Sequence, residues 1–198
     1  IGVSSSVLTM LLGAAAGVLS TVRGVWGWPS NALINVFALL PRLVTLIVLA
    51  GFLGSSALNL IVLISAFSWV GTARDVRARV IHLNSMPFIE NCVIQGYSRA
   101  HIAAHHILPN LYDLLLSRFL LGVNSCIMME STLSFLGFGD LYHPTWGSMI
   151  NFAYNRGAFI RQAYNYLLTP GVCIMLLSLS FYLISLYFER RRDIIEEV

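Results

Sequence analysis

The sequence contains no lysine and little charge of any kind. All 12 basic residues among the 198 are arginine, and charged residues make up 11%, against about 25% in soluble domains. Without lysine the chain lacks the amine that reaches ATP phosphates in a P-loop or forms Schiff bases. Hydrophobic residues, at 57%, exceed the usual fraction of about 45–50%. These figures argue against an ordinary soluble protein and a disordered chain, and they assign any ATP chemistry to another chain.

Cysteine is also scarce. Cys92, Cys126 and Cys173 are far apart and form no CxxC pair, which argues against a disulfide framework or a zinc site and favours small buried side chains. The net charge of +3 is too small to indicate a nucleic-acid partner. The chain begins with Ile1 and is apolar from there, with no basic segment as in a signal peptide. We expect a fragment that lacks its natural N-terminal part.

Long apolar runs predict an all-α integral membrane protein with about five transmembrane helices. A helix needs about 20 apolar residues to cross about 30 Å of hydrocarbon. The predicted spans are Ile1–Val22, Ala32–Leu53, Ala57–Ala73, Tyr112–Leu133 and Leu167–Phe188. Pro41 is expected to kink the second span. Small residues at positions 13–17 predict close helix packing in the first. We identify no internal repeat of sequence.

Arginine is distributed unequally between the two sides that these spans define. One side receives Arg23, Arg74, Arg77, Arg79, Arg99 and Arg190–Arg192, and the other receives only Arg156 and Arg161. The arginine-rich side is predicted to be cytoplasmic, which places the C-terminus inside. Residues 1–198 then form a single transmembrane domain, with a cytoplasmic loop at 74–110 and an extracytoplasmic segment at 134–166. The aromatic residues of that outer segment are typical of an interfacial belt.

The cytoplasmic loop predicts two short amphipathic helices. Asn84 or Ser85 can cap the first, Pro87 suits its first turn, and Glu90 favours its positive end. Apolar residues recur at helical spacing at Ile89, Val93, Tyr97, Ala100, Ala104 and Ile107. Gly96 interrupts this pattern as a hinge, and Pro109 is expected to end it. Such a pair either rests on the membrane surface or docks a cytoplasmic partner.

Three motifs resemble one transporter family. Glu90, the small residues Asn91 and Cys92, Gly96 six positions after Glu90, and Leu108-Pro109 are similar to the EAA loop of ABC importer permeases. The segments Arg99–Asn110, Glu130–Gly139 and Pro144–Ile150 resemble the dipeptide, oligopeptide and nickel branch, in particular its "C"-type subunit. Asn91 and Cys92 depart from the family pattern by replacing two alanines, and His106 stands where many families have isoleucine.

The resemblance implies a type I permease architecture and a transport role, not an enzyme. Its implied partners are a second homologous permease subunit, two ATP-binding subunits carrying ATP and Mg, an extracytoplasmic substrate-binding protein and the lipid bilayer. The implied location is a bacterial or archaeal plasma membrane, and no cofactor is expected in this chain. Peptides are the expected substrate, with nickel or another metal chelate as the alternative. The coupling-loop residues implied are Glu90, Asn91, Cys92, Gly96, Arg99, His106, Leu108 and Pro109.

Charged residues within the spans are candidate functional residues. A charge at the bilayer centre costs at least about 2.5–3.5 kcal/mol, so Arg42, Arg118 and Glu130 are expected either to line a translocation path or to pair with neighbouring polar groups. His101 and His105 have the spacing of metal ligands, but no third ligand is evident, and a partner-facing polar surface is favoured. An integral-membrane enzyme and a channel or scaffold without ATPase coupling are the functional alternatives.

Overall fold

A computed structural model describes residues 1–22, 27–140 and 142–196, with side chains described as far as residue 188. The described residues contain no strand. Their helices are α1 (Gly2–Leu19), α2 (Gly27–Leu39), α3 (Arg42–Leu53), α4 (Ala57–Asn84), α5 (Pro87–Ile94), α6 (Arg99–Ile102), α7 (Tyr112–Leu133), α8 (Trp146–Asn155) and α9 (Asn165–Glu196). Arg23, which we place among the cytoplasmic arginines, lies outside the described residues, as do the side chains of Arg190–Arg192.

The predicted membrane architecture is confirmed. Four helices are long and apolar enough to cross a bilayer: Gly2–Leu19, Ala57–Asn84, Pro109–Phe138 and Asn165–Phe188. A fifth span exists if α2 and α3 together count as one. The all-helical fold follows from the environment, because hydrocarbon offers no partner for backbone polar groups and a helix satisfies them internally.

The second predicted span is broken rather than kinked. Helices α2 and α3 meet at an angle of 89°, around Leu40-Pro41. With 13 and 12 residues, each is only about 18–20 Å long, too short to cross the bilayer alone. Proline produces this break because it has no N–H to donate and because it disfavours helical geometry at the residue before it.

Helix α1 buries small residues and exposes large ones. Its buried positions are Ser5, Ser6, Thr9, Gly13 and Gly17. A side chain at Gly13 would lie 2.6 Å from Thr72 Cβ, and one at Gly17 would lie 2.7 Å from the Ala73 carbonyl oxygen. These contacts confirm the predicted close packing, which in lipid relies on backbone approach rather than on expulsion of water.

The chain forms two compact units, and α1, α4 and α7 contribute residues to both. The first unit comprises residues 1–9, 40–68 and 119–198. Its core consists of Leu46, Ala50, Leu60, Leu63, Ile64, Cys126 and Leu133. Cys126 is buried as expected, whereas Cys92 and Cys173 are only partly buried, and all three are free thiols.

The second unit comprises residues 10–39 and 69–118. One core cluster joins Val76, Val80, Leu83, Ile89, Ile102, Ile107 and Leu111, and another joins Ile34, Trp69 and Ala73. Because the apolar positions after Ala73 continue at helical spacing and are buried, α4 extends past its predicted end to Asn84. The first part of the predicted loop 74–110 is therefore a continuation of a membrane helix.

Candidate coupling hairpin and intramembrane polar residues

The hairpin of α5 and α6 begins at Met86. This residue has the extended backbone of an N-cap, without a side-chain hydrogen bond, and Pro87 occupies the first helical turn. The prediction of Asn84 or Ser85 as the cap is wrong. Asn84 is the last residue of α4, and the Ser85 hydroxyl donates backwards to the His82 carbonyl at 2.7 Å. Proline at the first position makes a side-chain acceptor less necessary, since one of the unpaired N–H groups is absent.

Gly96 closes α5 through a Schellman turn. Its φ is +83°, in the left-handed region that favours glycine. The Gly96 N–H donates to the Val93 carbonyl at 3.0 Å, and the Tyr97 N–H donates to the Cys92 carbonyl at 3.1 Å. This pair of bonds satisfies the last carbonyls of the helix. The predicted hinge is thus a hydrogen-bonded corner.

After the corner the chain becomes helical again and leads directly into a membrane span. The Ser98 hydroxyl caps α6 by accepting from the His101 N–H at 3.2 Å. A π-helical turn follows at Ala103–Ile107. Pro109 then starts a 3-10 turn, Pro109–Leu111, which runs into α7. The helical segment after the corner thus ends before Pro109, as predicted, and Pro109 can open the next turn because its missing N–H removes no hydrogen bond at that position.

The hairpin buries one set of apolar residues and exposes another. Ile89, Ile102 and Ile107 are buried in the second unit. Val93, Ile94, Tyr97, Leu108 and Phe88 are exposed. Of the apolar residues that recur at helical spacing, Ile89 and Ile107 are therefore buried, whereas Val93 and Tyr97 are exposed. Ile94, the last residue of α5, is 81% exposed, and this exposure leaves the apolar face of the hairpin without a covering group in the described residues.

The structure brings some of the predicted coupling residues together and leaves others apart. Cys92 Sγ lies 3.7 Å from His106 Nε2, with the ring of Phe88 6.4 Å from that of His106. Glu90, Asn91, Arg99, Leu108 and Pro109 are exposed along the hairpin. Cys92 and His106, two positions that depart from the family pattern, thus lie in contact between α5 and the π-helical turn.

The histidines of the hairpin stack on one another. The rings of His101 and His105 lie 4.2 Å apart at 18°, and Tyr97 stacks on His101 at 4.9 Å. Within the described part of the chain, no group of three histidine, cysteine or acidic side chains is arranged to hold a metal ion.

The intramembrane charges have polar partners in the structure. Arg118 forms an ion pair with Asp75 at 3.0 Å. Arg42 donates to the hydroxyl of Ser68. Glu130 is 7% exposed and accepts from the Ser134 hydroxyl at 2.6 Å. These contacts fit the expectation that a charge in the membrane faces protein groups.

Glu130 also borders a cavity of about 290 Å³, whose wall includes Ser131, Thr145 and Trp146. Both carboxylate oxygens receive hydroxyl donors, since the Ser131 hydroxyl lies 3.5 Å from the second oxygen. A carboxylate facing an open space between membrane helices is positioned to meet a polar solute. Of the three predicted path residues, Glu130 thus lines a cavity of the first unit.

Asp140 is a polar anchor that the sequence analysis missed. It follows the π-helical turn Ser134–Phe138, and its carboxylate accepts from the backbone N–H groups of Tyr142 at 2.8 Å and Ala57 at 2.9 Å. These two bonds, followed by that from His143, lower the pKa of Asp140 from 3.8 to about 2. The bond to Ala57 caps the first turn of α4. Its partner is distant in sequence, so no local pattern predicts it.

Comparison with known proteins relates the chain to the membrane components of transport systems. Residues 9–194 match the family described as "Binding-protein-dependent transport system inner membrane component". A putative peptide permease protein of Brucella ovis is 30% identical over 187 residues, which cover 91% of this chain and 61% of that protein. The glutathione transport system permease protein GsiD of Escherichia coli is 30% identical over 191 residues, covering 93% and 62%.

The dipeptide transport system permease protein DppC of Lactococcus lactis is 28% identical over 183 residues, covering 91% of this chain and 52% of that protein. The chain thus spans between half and two thirds of the length of these relatives. The range that matches the family, residues 9–194, reaches into every predicted membrane span and includes the hairpin and the segment that contains Glu130.

Proposed function

This chain belongs to the family of binding-protein-dependent transport system inner membrane components, and from that premise we propose that it forms half of the translocation path of an ATP-driven ABC importer. A second, homologous permease subunit supplies the other half. An extracytoplasmic substrate-binding protein delivers the substrate. Two ATP-binding subunits, which carry ATP and Mg, dock on the cytoplasmic side. The absence of lysine from this chain fits a division of labour in which nucleotide is bound elsewhere.

The observation that carries this proposal is the apolar face of the hairpin. Val93, Ile94, Tyr97 and Leu108 are exposed in a loop that also carries exposed polar residues such as Glu90 and Asn91. Exposed apolar side chains with a polar rim are typical of a protein interface. The opposite face is fixed by buried Ile89 and Ile102. The hairpin therefore offers a docking surface on a rigid support.

The same construction suits the transmission of motion. The Schellman corner at Gly96 and the direct continuation into α7 join the docking surface to a membrane helix without a flexible linker. A displacement imposed by closure of the ATPase pair then moves α5, α6 and the start of α7 together. Transport follows when this movement opens the path alternately to the two sides of the membrane.

We propose peptides as the substrates. Relatives of this chain are named for dipeptide and glutathione transport. Glu130, with its hydroxyl partners and adjoining cavity, is the residue that we propose to contact the passing substrate. Uptake of a nickel chelate is the alternative, and it is tested by offering both substrates to the same reconstituted complex.

We further propose a plasma-membrane location in which the hairpin and the C-terminus face the cytoplasm, since most arginines lie on that side of the predicted spans. Single cysteines at Ser98 and Gly157, in a full-length protein from which Cys92, Cys126 and Cys173 have been removed, should label from opposite sides of the membrane. Labelling from the same side would contradict this arrangement of the hairpin and the outer segment.

The decisive experiment is reconstitution of the full-length permease in proteoliposomes with its partner subunits. We expect peptide uptake and peptide-stimulated ATP hydrolysis only when both permeases, the ATPase subunits and the binding protein are present. Transport by the purified permease alone would indicate a channel. Chemical conversion of a substrate without ATPase subunits would indicate an integral-membrane enzyme.

A further inference from the structure

A short repeat that the sequence analysis did not identify lies in the segment between α8 and α9. The sequence reads AYNRG at residues 153–157 and AFIRQ at residues 158–162, and a third copy begins with AYN at residues 163–165. Alanine and an aromatic ring thus recur every five residues, with arginine in both complete copies. Five is the period neither of an α-helix nor of a strand, so the repeat must correspond to another regular backbone structure.

The two complete copies form the same turn-closing hydrogen bond in the backbone. The Ala158 N–H donates to the Ala153 carbonyl at 3.0 Å, and the Ala163 N–H donates to the Ala158 carbonyl at 2.9 Å. The last residue of each copy has a positive φ: +73° at Gly157 and +54° at Gln162. These are successive Schellman-type turns. Gln162 is the one non-glycine residue with positive φ among those described. The second turn therefore forms although a glutamine is unfavourable at its last position.

The turns sort the side chains onto two faces. On one face the aromatic rings form a ladder. Tyr154 and Phe159 lie 6.3 Å apart at 83°, and Phe159 and Tyr164 lie 6.5 Å apart at 72°. These are edge-to-face arrangements, which aromatic pairs prefer. The ladder holds the consecutive turns in a common orientation, so residues at equivalent positions point the same way.

The other face forms a cavity with two arginines. Arg156 and Arg161, each the residue immediately before a positive-φ position, line a cavity of about 620 Å³ together with Ala153, Ala158 and Ala163. The three alanines contribute only small side chains to the wall of this cavity. Within the described part of the chain, neither guanidinium is paired with a carboxylate. The repeat therefore builds a cradle of two uncompensated positive charges, defined by Arg156 and Arg161.

The cradle lies next to a membrane span. The candidate span Asn165–Phe188 begins directly after it, and Tyr166, at the start of that span, also lines the cavity. Ile160, between the two arginines, is 90% exposed. An exposed aliphatic residue flanked by arginines and tyrosines is typical of a segment in the headgroup region of a bilayer.

We propose that the Arg156–Arg161 cradle binds the phosphate of an anionic phospholipid headgroup. Guanidinium groups suit phosphate because their N–H donors match its oxygens in pairs. The apolar wall formed by the alanines and Tyr166 accommodates the upper part of the lipid, and Ile160 inserts beside it. The site is independent of the transported substrate, so it can be tested whether or not peptides are imported.

The test measures lipid binding by the purified, delipidated full-length permease with its associated subunits, using native mass spectrometry. The probes are phosphatidylglycerol and phosphatidylcholine of equal chain length. A basic residue near an anionic surface contributes about 1 kcal/mol, or about 5-fold in affinity. We therefore expect the Arg156→Gln, Arg161→Gln double variant to lose about 30-fold of its preference for phosphatidylglycerol. Both side chains are exposed, so the variant should fold.

Two matched variants distinguish the effect of the positive charges from that of the guanidinium geometry and from that of the backbone conformation at residue 162. Arg156→Lys with Arg161→Lys keeps both charges and should retain part of the preference, whereas Gln162→Gly keeps the positive φ and should retain all of it. An unchanged preference in the double glutamine variant would overturn the proposal. Displacement of the lipid by millimolar inorganic phosphate would also overturn it, because the cradle would then be a site for soluble anions.

Discussion

Two isoleucines on helix α5 give a direct test of the docking surface. Ile94 is 81% exposed and Ile89 is 3% exposed, yet they lie five positions apart on the same short helix. Truncation of Ile94 to alanine removes apolar atoms that only a partner could cover. At about 0.8 kcal/mol per buried methylene, scaled by its exposure, the loss is about 2 kcal/mol of docking energy, or about 30-fold in Kd. Binding of the ATPase subunit to the full-length permease pair in nanodiscs measures this loss.

Ile89→Ala is the matched control. Because Ile89 is buried against the core of the second unit, its truncation should cost about 2–5 kcal/mol of fold stability and lower the thermal unfolding temperature. Ile94→Ala should leave that temperature unchanged. If Ile94→Ala binds the ATPase with wild-type affinity, the exposed face of α5 is not the docking surface, and the reasoning that links exposure to coupling fails.

Three further perturbations follow from the geometry. Gly96→Val places a β-branched residue at positive φ and should cost about 1 kcal/mol or more, seen as reduced substrate-stimulated ATP hydrolysis; normal stimulation would mean that the corner is not needed. Gly17→Val should lower the thermal stability because its side chain would collide with the Ala73 carbonyl, whereas Gly71→Ala, which meets open space, should not. The pKa of Asp140, lowered from 3.8 to about 2, means that its stabilisation is present above about pH 4 and is lost as the pH falls through about 2. Hydrogen exchange of the Ala57 amide should therefore lose its protection only in that acidic range, and loss of protection near neutral pH would contradict this role.

The membrane spans could be predicted from the sequence because bilayer thickness sets a minimum apolar length. The end of α4 could not, since arginines beyond Ala73 look like a loop while Val76 and Val80 continue the buried face. The angle between α2 and α3 could not be predicted from the sequence either. A proline in a span predicts a local disturbance, but its size depends on what each half packs against.

The hairpin shows why counting periodicity can fail. Val93 follows Ile89 by four residues within α5, yet Val93 is exposed and Ile89 is buried, because helical spacing groups residues on one side of a helix without fixing which of them the core covers. Beyond the left-handed corner at Gly96, the next buried residue is Ile102. The positive φ of a glycine was foreseeable, but its effect on the direction of the following turn was not.

The candidate site was predictable to different degrees. An isolated carboxylate within a span points to Glu130, and a serine four residues later is within reach on the same helix face. The contact between Asp140 and Ala57 joins residues far apart in sequence and has no sequence signal. The five-residue repeat was visible in the sequence, but its period matches no standard secondary structure, so a search for helices and strands passes over it.

The small-residue face of α1 has a consequence for its tolerance to mutation. In a soluble core, the harmful changes remove volume, because they leave cavities. On α1 the buried positions are glycine, serine and threonine, while Leu11 and Leu12 face outwards. A saturation library of this helix should therefore show an inverted profile, in which substitutions that add carbon atoms at Gly13 or Gly17 are the damaging ones. Leucine-to-alanine changes on the outer face should alter the transfer of the helix into lipid and leave its packing intact.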